Sequence, residues 1–322
     1  MQPPSVVCAG ILVADLFVPP LERLPMGGDL VVTEDFLVQP GGCAANTAIS
    51  LAKLGVAVSV SGKVGKDIFG DAVERDLRAS GVRTAALRRS SSHGTSKTVI
   101  LPVIGDDRRY IHTIGANADF TVDDIASTLA MQAQIFALGG YFVLPRLEPL
   151  RIAGLLASMR KNGVRTVLDI VVPATPDHPT LDDLRPILPF TDVFIPNIEE
   201  AYMLTGETDP GKQAELFLRA GCAIAIITRG KDGALLMCAR ETLEAPAFPV
   251  EVADVSGAGD AFAAGFIVGL LENWSLVDSL RFASLIGASA CTQLGCTGGV
   301  FTRAEAETYL QTHPLAITSF KA

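Results

Sequence analysis

The chain has 322 residues, 49% hydrophobic and 19% charged, which is enough for one large core or two modest ones. A net charge of −9 and a pI near 5.0 argue against a surface for nucleic acid or anionic membrane, although a local basic pocket for phosphates stays open. Met1-Gln2-Pro3-Pro4-Ser5 carries no basic leader region and no apolar run reaches spanning length, so a cytoplasmic protein is expected.

Residues 6–10 read as a short buried strand. Residues 12–18 and 31–39 look extended and are joined by a Pro- and Gly-rich loop over 19–28. Asp15 is a lone acid in the first of these apolar runs, where it faces solvent or receives hydroxyl hydrogen bonds. Gly41-Gly42-Cys43-Ala44-Ala45-Asn46 then sets a double glycine before a helix over 44–54 that ends at Gly55. Two glycines allow a ligand to approach the backbone, and Asn46 offers a donor and an acceptor suited to vicinal hydroxyls. Ordinary helix entry and capping is the alternative reading. A strand at 56–61 and a helix at 68–80, closed by Gly81, come next. Residues 95–104 and 108–114 form a second hairpin candidate, turned by Gly105-Asp106-Asp107. Neither pair has a covering helix, so together they read as a small antiparallel sheet projecting like a lid, or as an extension of the main sheet's edge.

Farther on, 135–138, 166–169, 193–196 and 223–228 read as buried strands, separated by helices over 148–161, 199–204 and 212–220. This alternation predicts a mainly parallel sheet covered on both faces. Asn197-Ile198-Glu199-Glu200 directly follows one strand, and ligands bind at such strand ends in α/β proteins. Asn197 and Glu200 suit Mg²⁺, or else they form a charged helix start. Thr228-Arg229-Gly230-Lys231-Asp232-Gly233 ends another strand, as a nucleotide loop or a plain β-turn. Residues 258–310 are expected to be mostly helical.

The most informative segment is Asp254-Val255-Ser256-Gly257-Ala258-Gly259-Asp260, which runs into the apolar stretch 261–271. Small residues let backbone amides converge at a helix N-terminus, an anion site for a phosphoryl group in transit. A carboxylate beside such a site has chemical work in removing a proton from an attacking hydroxyl. Capping by Ser256 or Asp260 is the plainer reading. The six cysteines form no Cys-x-x-Cys pair and do not cluster with the four histidines, so reduced thiols are expected and no zinc site. There is no P-loop, no GxGxxG after the first strand and no GxSxG elbow, which weakens three other enzyme classes.

Taken in order, these segments resemble the pfkB, or ribokinase-like, carbohydrate kinase family. Gly41, Gly42, Asn46 and Ala52-Lys53-Leu54-Gly55 match its early signature, and Asp254 through Asp260 with Phe262 and Gly265 match its late one. Asn197 and Glu200 match its N-x-x-E motif, and Thr228, Gly230 and Gly233 its nucleotide loop. Gly115-Ala116-Asn117-Ala118 resembles the segment that closes the second lid strand. The resemblance implies one kinase domain over 1–322, a three-layer α/β sandwich with a mainly parallel central sheet and a β-lid from about 12–40 and 94–115. It implies transfer of the γ-phosphoryl of ATP to a sugar or nucleoside hydroxyl. Asp260 would be the base and Gly257, Ala258 and Gly259 the anion hole. Asp15, Gly42 and Asn46 would grip substrate, while Thr228, Gly230 and Gly233 would contact ATP. Asn197 and Glu200 would organise Mg²⁺, largely through water. Asp254 and the loop 290–299 would lie where many members hold a monovalent cation such as K⁺. A homodimer through the lids is implied too.

Departures bear on the substrate. Cys43 stands where ribokinases carry lysine, Val13 where they carry asparagine, and Leu138-Gly139-Gly140-Tyr141-Phe142-Val143 lacks a glutamate. The pocket is therefore expected to be more apolar, fitting a different sugar or a nucleoside base on Tyr141 or Phe142, unless these aromatics belong to the core. A nucleoside kinase, or a catalytically silent sugar or nucleotide sensor, is the competing function.

Overall fold

The computed structural model describes residues 3–105, 108–173 and 175–321. Asp106 and Asp107 of the expected hairpin turn lie outside the described residues. A nine-stranded sheet forms the middle layer. Six of its strands run parallel, in the order Val58–Ser61, Val6–Gly10, Ile135–Gly139, Arg165–Leu168, Val193–Phe194 and Ile224–Thr228. Ala234–Cys238, Glu241–Ala245 and Thr318–Lys321 then extend it antiparallel.

The central strands are largely apolar because both of their faces are covered. Along Val6–Gly10, Val6 and Cys8 join one core, while Val7 and Ala9 join the other. The first core includes helices Cys43–Lys53, Ala258–Leu271 and Leu276–Ala290. The second includes Ile152, Leu156 and Met159 of helix Pro149–Lys161 with Ala214 and Phe217 of Pro210–Arg219. Ala258–Leu271 is buried without a break from Ala261 to Gly269, the pattern of a helix enclosed on all sides. That enclosure fixes its N-terminal turn rigidly at the C-terminal edge of the sheet. Among the described residues no helix is long and apolar enough to cross a membrane.

A four-stranded sheet stands apart, ordered Leu37–Gly41, Val13–Phe17, Lys97–Leu101, Arg109–Thr113. It is mixed rather than antiparallel, because the two excursions meet along strands that run the same way, with Asp15 beside Thr98. Of the expected 31–39 strand only residues 37–39 pair, as the start of strand Leu37–Gly41. Leu30 and Val32 are exposed and in no ladder, since β propensity is realised only where a partner strand exists. Glu241–Ala245 and Thr318–Lys321 have no counterpart among the expected elements. The first of these alternates polar and apolar residues, with Leu243 and Ala245 buried, as a strand solvated on one side should.

Candidate active site

Gly257 caps the long buried helix in the left-handed region, at φ 72°. A Cβ there would lie 2.3 Å from the carbonyl oxygen of Cys296, so the turn admits only glycine. Ala258 N makes a long 3.4 Å contact with the Val255 carbonyl, the first-turn amides have no acceptor within the helix, and the space beside Gly259 is open. Ala253 and Asp254 donate their amides to the carbonyl of Cys291, which ties this turn to the end of the neighbouring helix. Asp254 is buried, and its Oδ1 and Oδ2 accept from the amides of Ser256 (3.0 Å) and Gly295 (2.9 Å).

Asp260 projects from the first turn of that helix toward Asn46, whose Nδ2 donates to Asp260 Oδ2 at 2.9 Å. Burial pushes the Asp260 carboxyl up to about 6, against the hydrogen bonds from Asn46 and Cys43. Cys43 Sγ and one carboxylate oxygen each of Asp169 and Asp260 lie within 4.8 Å of one another. Burial, then Asp260 and Glu200, hold the Asp169 carboxyl well above its ordinary range, and its Oδ2 is buried with no hydrogen-bond partner among the described residues. Burial and the same acids raise the Cys43 thiol, so it keeps its proton and serves the carboxylates as a donor.

Glu200 is pushed up to about 7 by burial, opposed by the amides of Asn197 and Val172, with the Asp260 charge adding to the rise. Its Oε2 accepts from Asn197 N at 3.0 Å, while Asn197 Oδ1 accepts from Glu200 N at 2.8 Å, a reciprocal capping box. The side-chain oxygen of Asn197 is thus engaged as a cap. An isolated parallel β-bridge between Asn197 and Thr228 sets the N-x-x-E segment beside the expected nucleotide loop. Within that loop Gly233 has a structural reason of its own, since a Cβ there would lie 1.9 Å from the carbonyl of Ala245. Gly230, at φ 55°, has open space beside it.

Asp15 is buried on the small sheet, and burial raises its carboxyl to about 6, partly offset by hydrogen bonds from Thr98 and Cys296. Gly41 makes room for it: a Cβ at Gly41 would fall 1.8 Å from Asp15 Oδ2. Gly42 is the N-cap of helix Cys43–Lys53, at φ 87°. Gln39 sits opposite Asp15 in the ladder. Among the described residues, Gln39 Nε2 and Asn46 Oδ1 are both buried without hydrogen-bond partners.

The structure therefore brings Asp15, Asn46, Glu200 and Asp260 into one electrostatic neighbourhood. It adds Asp169, Cys43, Cys296 and Gln39, which the motifs do not single out as ligand groups. Asp169 closes an expected strand, and an acid at the C-terminal end of an apolar parallel strand is the signal that finds it. Tyr141 belongs to the core: it is buried, and its hydroxyl donates to the Leu147 carbonyl. With the partly buried Phe142 it also borders a surface cleft of about 330 Å³ with Asp177 and His178.

A family model for the pfkB family carbohydrate kinases matches residues 3–303. The ribokinase of Bacillus subtilis is 30% identical over 292 residues, covering 90% of this chain and 94% of that protein. The probable fructokinase-5 of Arabidopsis thaliana is 25% identical over 319 residues, covering 94% and 96%. Arabidopsis thaliana ribokinase, solved with ribose and ATP, superposes with a TM-score of 0.82 at 25% identity, covering 97% of this chain and 99% of that one. A glycine-capped helix turn, an adjoining acid and a second sheet carrying Asp15 thus occur in a chain matched along nearly its whole length, and the protein belongs to the pfkB family of carbohydrate kinases.

Proposed function

We propose that this kinase transfers the γ-phosphoryl of ATP to a hydroxyl of a sugar, with Asp260 as the general base. The observation that carries the reading is the Asp260 carboxylate at the mouth of a helix whose first-turn amides are unpaired within the helix. Phosphoryl transfer asks mainly for alignment and charge stabilisation. In the proposed reaction the acceptor hydroxyl donates its hydrogen bond to Asp260, held by Asn46, and gives up its proton to that carboxylate as its oxygen bonds to the γ-phosphorus, while the bond from that phosphorus to the β,γ-bridging oxygen breaks and ADP leaves with the electron pair. The amides of Gly257, Ala258 and Gly259 receive the charge on the migrating group. Asp15, Asn46 Oδ1 and Gln39 Nε2 orient the remaining sugar hydroxyls, with Gly42 letting the sugar approach the backbone. Thr228 and Gly230 face the nucleotide, and Gly233 sets their turn.

The acid cluster fits Mg²⁺: hard oxygen donors, a buried carboxylate oxygen without a partner, and mutually repelling charges. Asp169 and Glu200 would hold the ion, with Asn197 fixing Glu200 through the capping box. When bound, Mg²⁺ supplies charge neutralisation at the β- and γ-phosphates.

The small sheet is read as a lid on a single kinase domain, closing over the sugar to exclude water. Its exposed apolar residues, Leu37, Val38, Tyr110 and Ile111 among them, support a homodimer formed lid against lid. A monomer by light scattering at assay concentration would refute that pairing. Six free cysteines agree with a reducing cytoplasm. The deciding assay for the function is ADP release with ATP and a panel of pentoses, hexoses, sugar acids and nucleosides. A sugar or sugar acid is the expected acceptor, and turnover confined to nucleosides would overturn that part of the reading.

A further inference from the structure

The position beside the anion turn where a monovalent cation is expected does not fit one in this chain. A bound cation there would share the Asp254 carboxylate, and both oxygens of that carboxylate already accept hydrogen bonds, one of them from a side-chain cation that would repel the ion. Oδ2 accepts from Gly295 N at 2.9 Å and Oδ1 from Ser256 N at 3.0 Å. Oδ1 also takes Arg108 Nη1, which reaches Ser256 Oγ as well. Arg108 comes from the small sheet, immediately before strand Arg109–Thr113, and is 146 positions from Asp254 in the chain. Its side chain is only 18% exposed, and its guanidinium lies 5.7 Å from the centre of the Tyr110 ring.

We propose that Arg108 is a built-in replacement for the monovalent cation, and that through it the small sheet positions the anion turn. This rests on reading the Gly257–Gly259 turn as the phosphoryl site. A guanidinium is always charged and offers directed donors. Arg108 therefore supplies the positive charge that a bound ion would, and holds two neighbouring groups of the turn, Asp254 Oδ1 and Ser256 Oγ, in one arrangement. Because the charge is carried by the small sheet, seating that sheet also sets the turn that precedes Gly257. A soluble ion could not provide that coupling. Arg108 acts through the turn and is a positioning residue.

The test compares the unmodified protein, Arg108→Gln and Arg108→Lys in KCl, NaCl and tetramethylammonium chloride at equal ionic strength. Melting temperature and kcat for the best sugar are both read. The unmodified protein is expected to show the same melting temperature and the same kcat in all three salts. Arg108→Gln should lose about tenfold in kcat in tetramethylammonium, the scale of a disturbed alignment. It should regain part of that loss, and gain melting temperature, in KCl, while Arg108→Lys keeps most of the activity. Selective stabilisation or activation of the unmodified protein by KCl overturns the proposal, as does an Arg108→Gln variant with unchanged kcat in tetramethylammonium. If Arg108→Gln does not fold, the salt series on the unmodified protein still decides. Absence of turnover with every sugar in every salt would instead count against the kinase reading, and the melting curves would report on Arg108 independently.

Discussion

Asp260→Asn separates a catalytic base from a helix cap, because the two roles predict opposite pairs of results. Asparagine is as good a cap as aspartate, so a cap would be replaced with little effect on turnover or stability. A base would not: the amide cannot accept the hydroxyl proton, and kcat should fall by at least about 10²-fold. Stability should move the other way. Asp260 titrates near 6 in the fold against an ordinary 3.8, chiefly because it is buried. Between those values the folded chain binds more protons than the unfolded one. The stability this acid contributes in its protonated form is complete below about pH 3.8 and is lost as pH rises through 6. The difference corresponds to about 3 kcal/mol once the group is fully ionised. The asparagine variant avoids that loss and still offers an oxygen to Asn46 Nδ2. It should melt about 4 °C higher near pH 8, given the unfolding entropy of a chain this long, and its advantage should vanish near pH 4. ADP release and thermal melts at both pH values are the assays. Turnover near that of the unmodified protein refutes the base. Lost turnover with a lower melting temperature at both pH values refutes the claim that the fold holds this carboxylate against its preference.

The remaining predictions concern the groups around it. The pH profile of kcat/KM should show an acid limb centred near 6, where Asp260 must release its proton; a limb near the ordinary 3.8 would remove the link between burial and the base. Asp169→Asn should raise the Mg²⁺ concentration needed for half-maximal rate by about tenfold while moving the sugar KM less, read from Mg²⁺ titrations at saturating ATP. Gly41→Ala places a methyl 1.8 Å from Asp15 Oδ2 and should raise the sugar KM by about tenfold with the ATP KM little changed; initial rates with each co-substrate varied decide it.

Much of this was legible in the sequence, for identifiable reasons. The central strands are apolar on both faces, and the glycines that close two helices, Gly55 and Gly81, lie just after their last turns, so element order could be read along the chain. The Gly42–Asn46 and Asp254–Asp260 segments were readable because each keeps its chemistry local: a positive-φ glycine, a helix start and a polar side chain within one turn. What escaped depends on contacts between distant segments. Cys296 meets Asp15 across 281 positions, and Arg108 reaches the anion turn from another sheet. No periodicity encodes such pairs. Gln39 looked like the end of a strand, and only its pairing opposite Asp15 shows it as an unpaired amide at the site. The over-long strand at 31–39 failed for the converse reason: local β propensity was present and no partner strand was.

The electrostatics of the cluster are the strongest physical reason to regard it as machinery and not as architecture. Asp15, Asp169, Glu200 and Asp260 each titrate above their ordinary range, burial is the first cause in all four, and the Asp260 charge raises the other three further. Packing alone would favour apolar residues of similar volume, which bring no desolvation penalty and no mutual repulsion. Nor do internal partners resolve the conflict, since Asp169 Oδ2 is left with none. In the proposed reading the arrangement becomes favourable when partners arrive from outside: hydroxyls would donate to Asp15 and Asp260, and Asp169 and Glu200 would hold a divalent cation. Each arrival lowers the proton affinity of the acids it meets, so loading the site drives Asp260 toward the ionised form a base requires. The mutual repulsion of these buried acids thus favours binding in the proposed reading, and binding would ready the base.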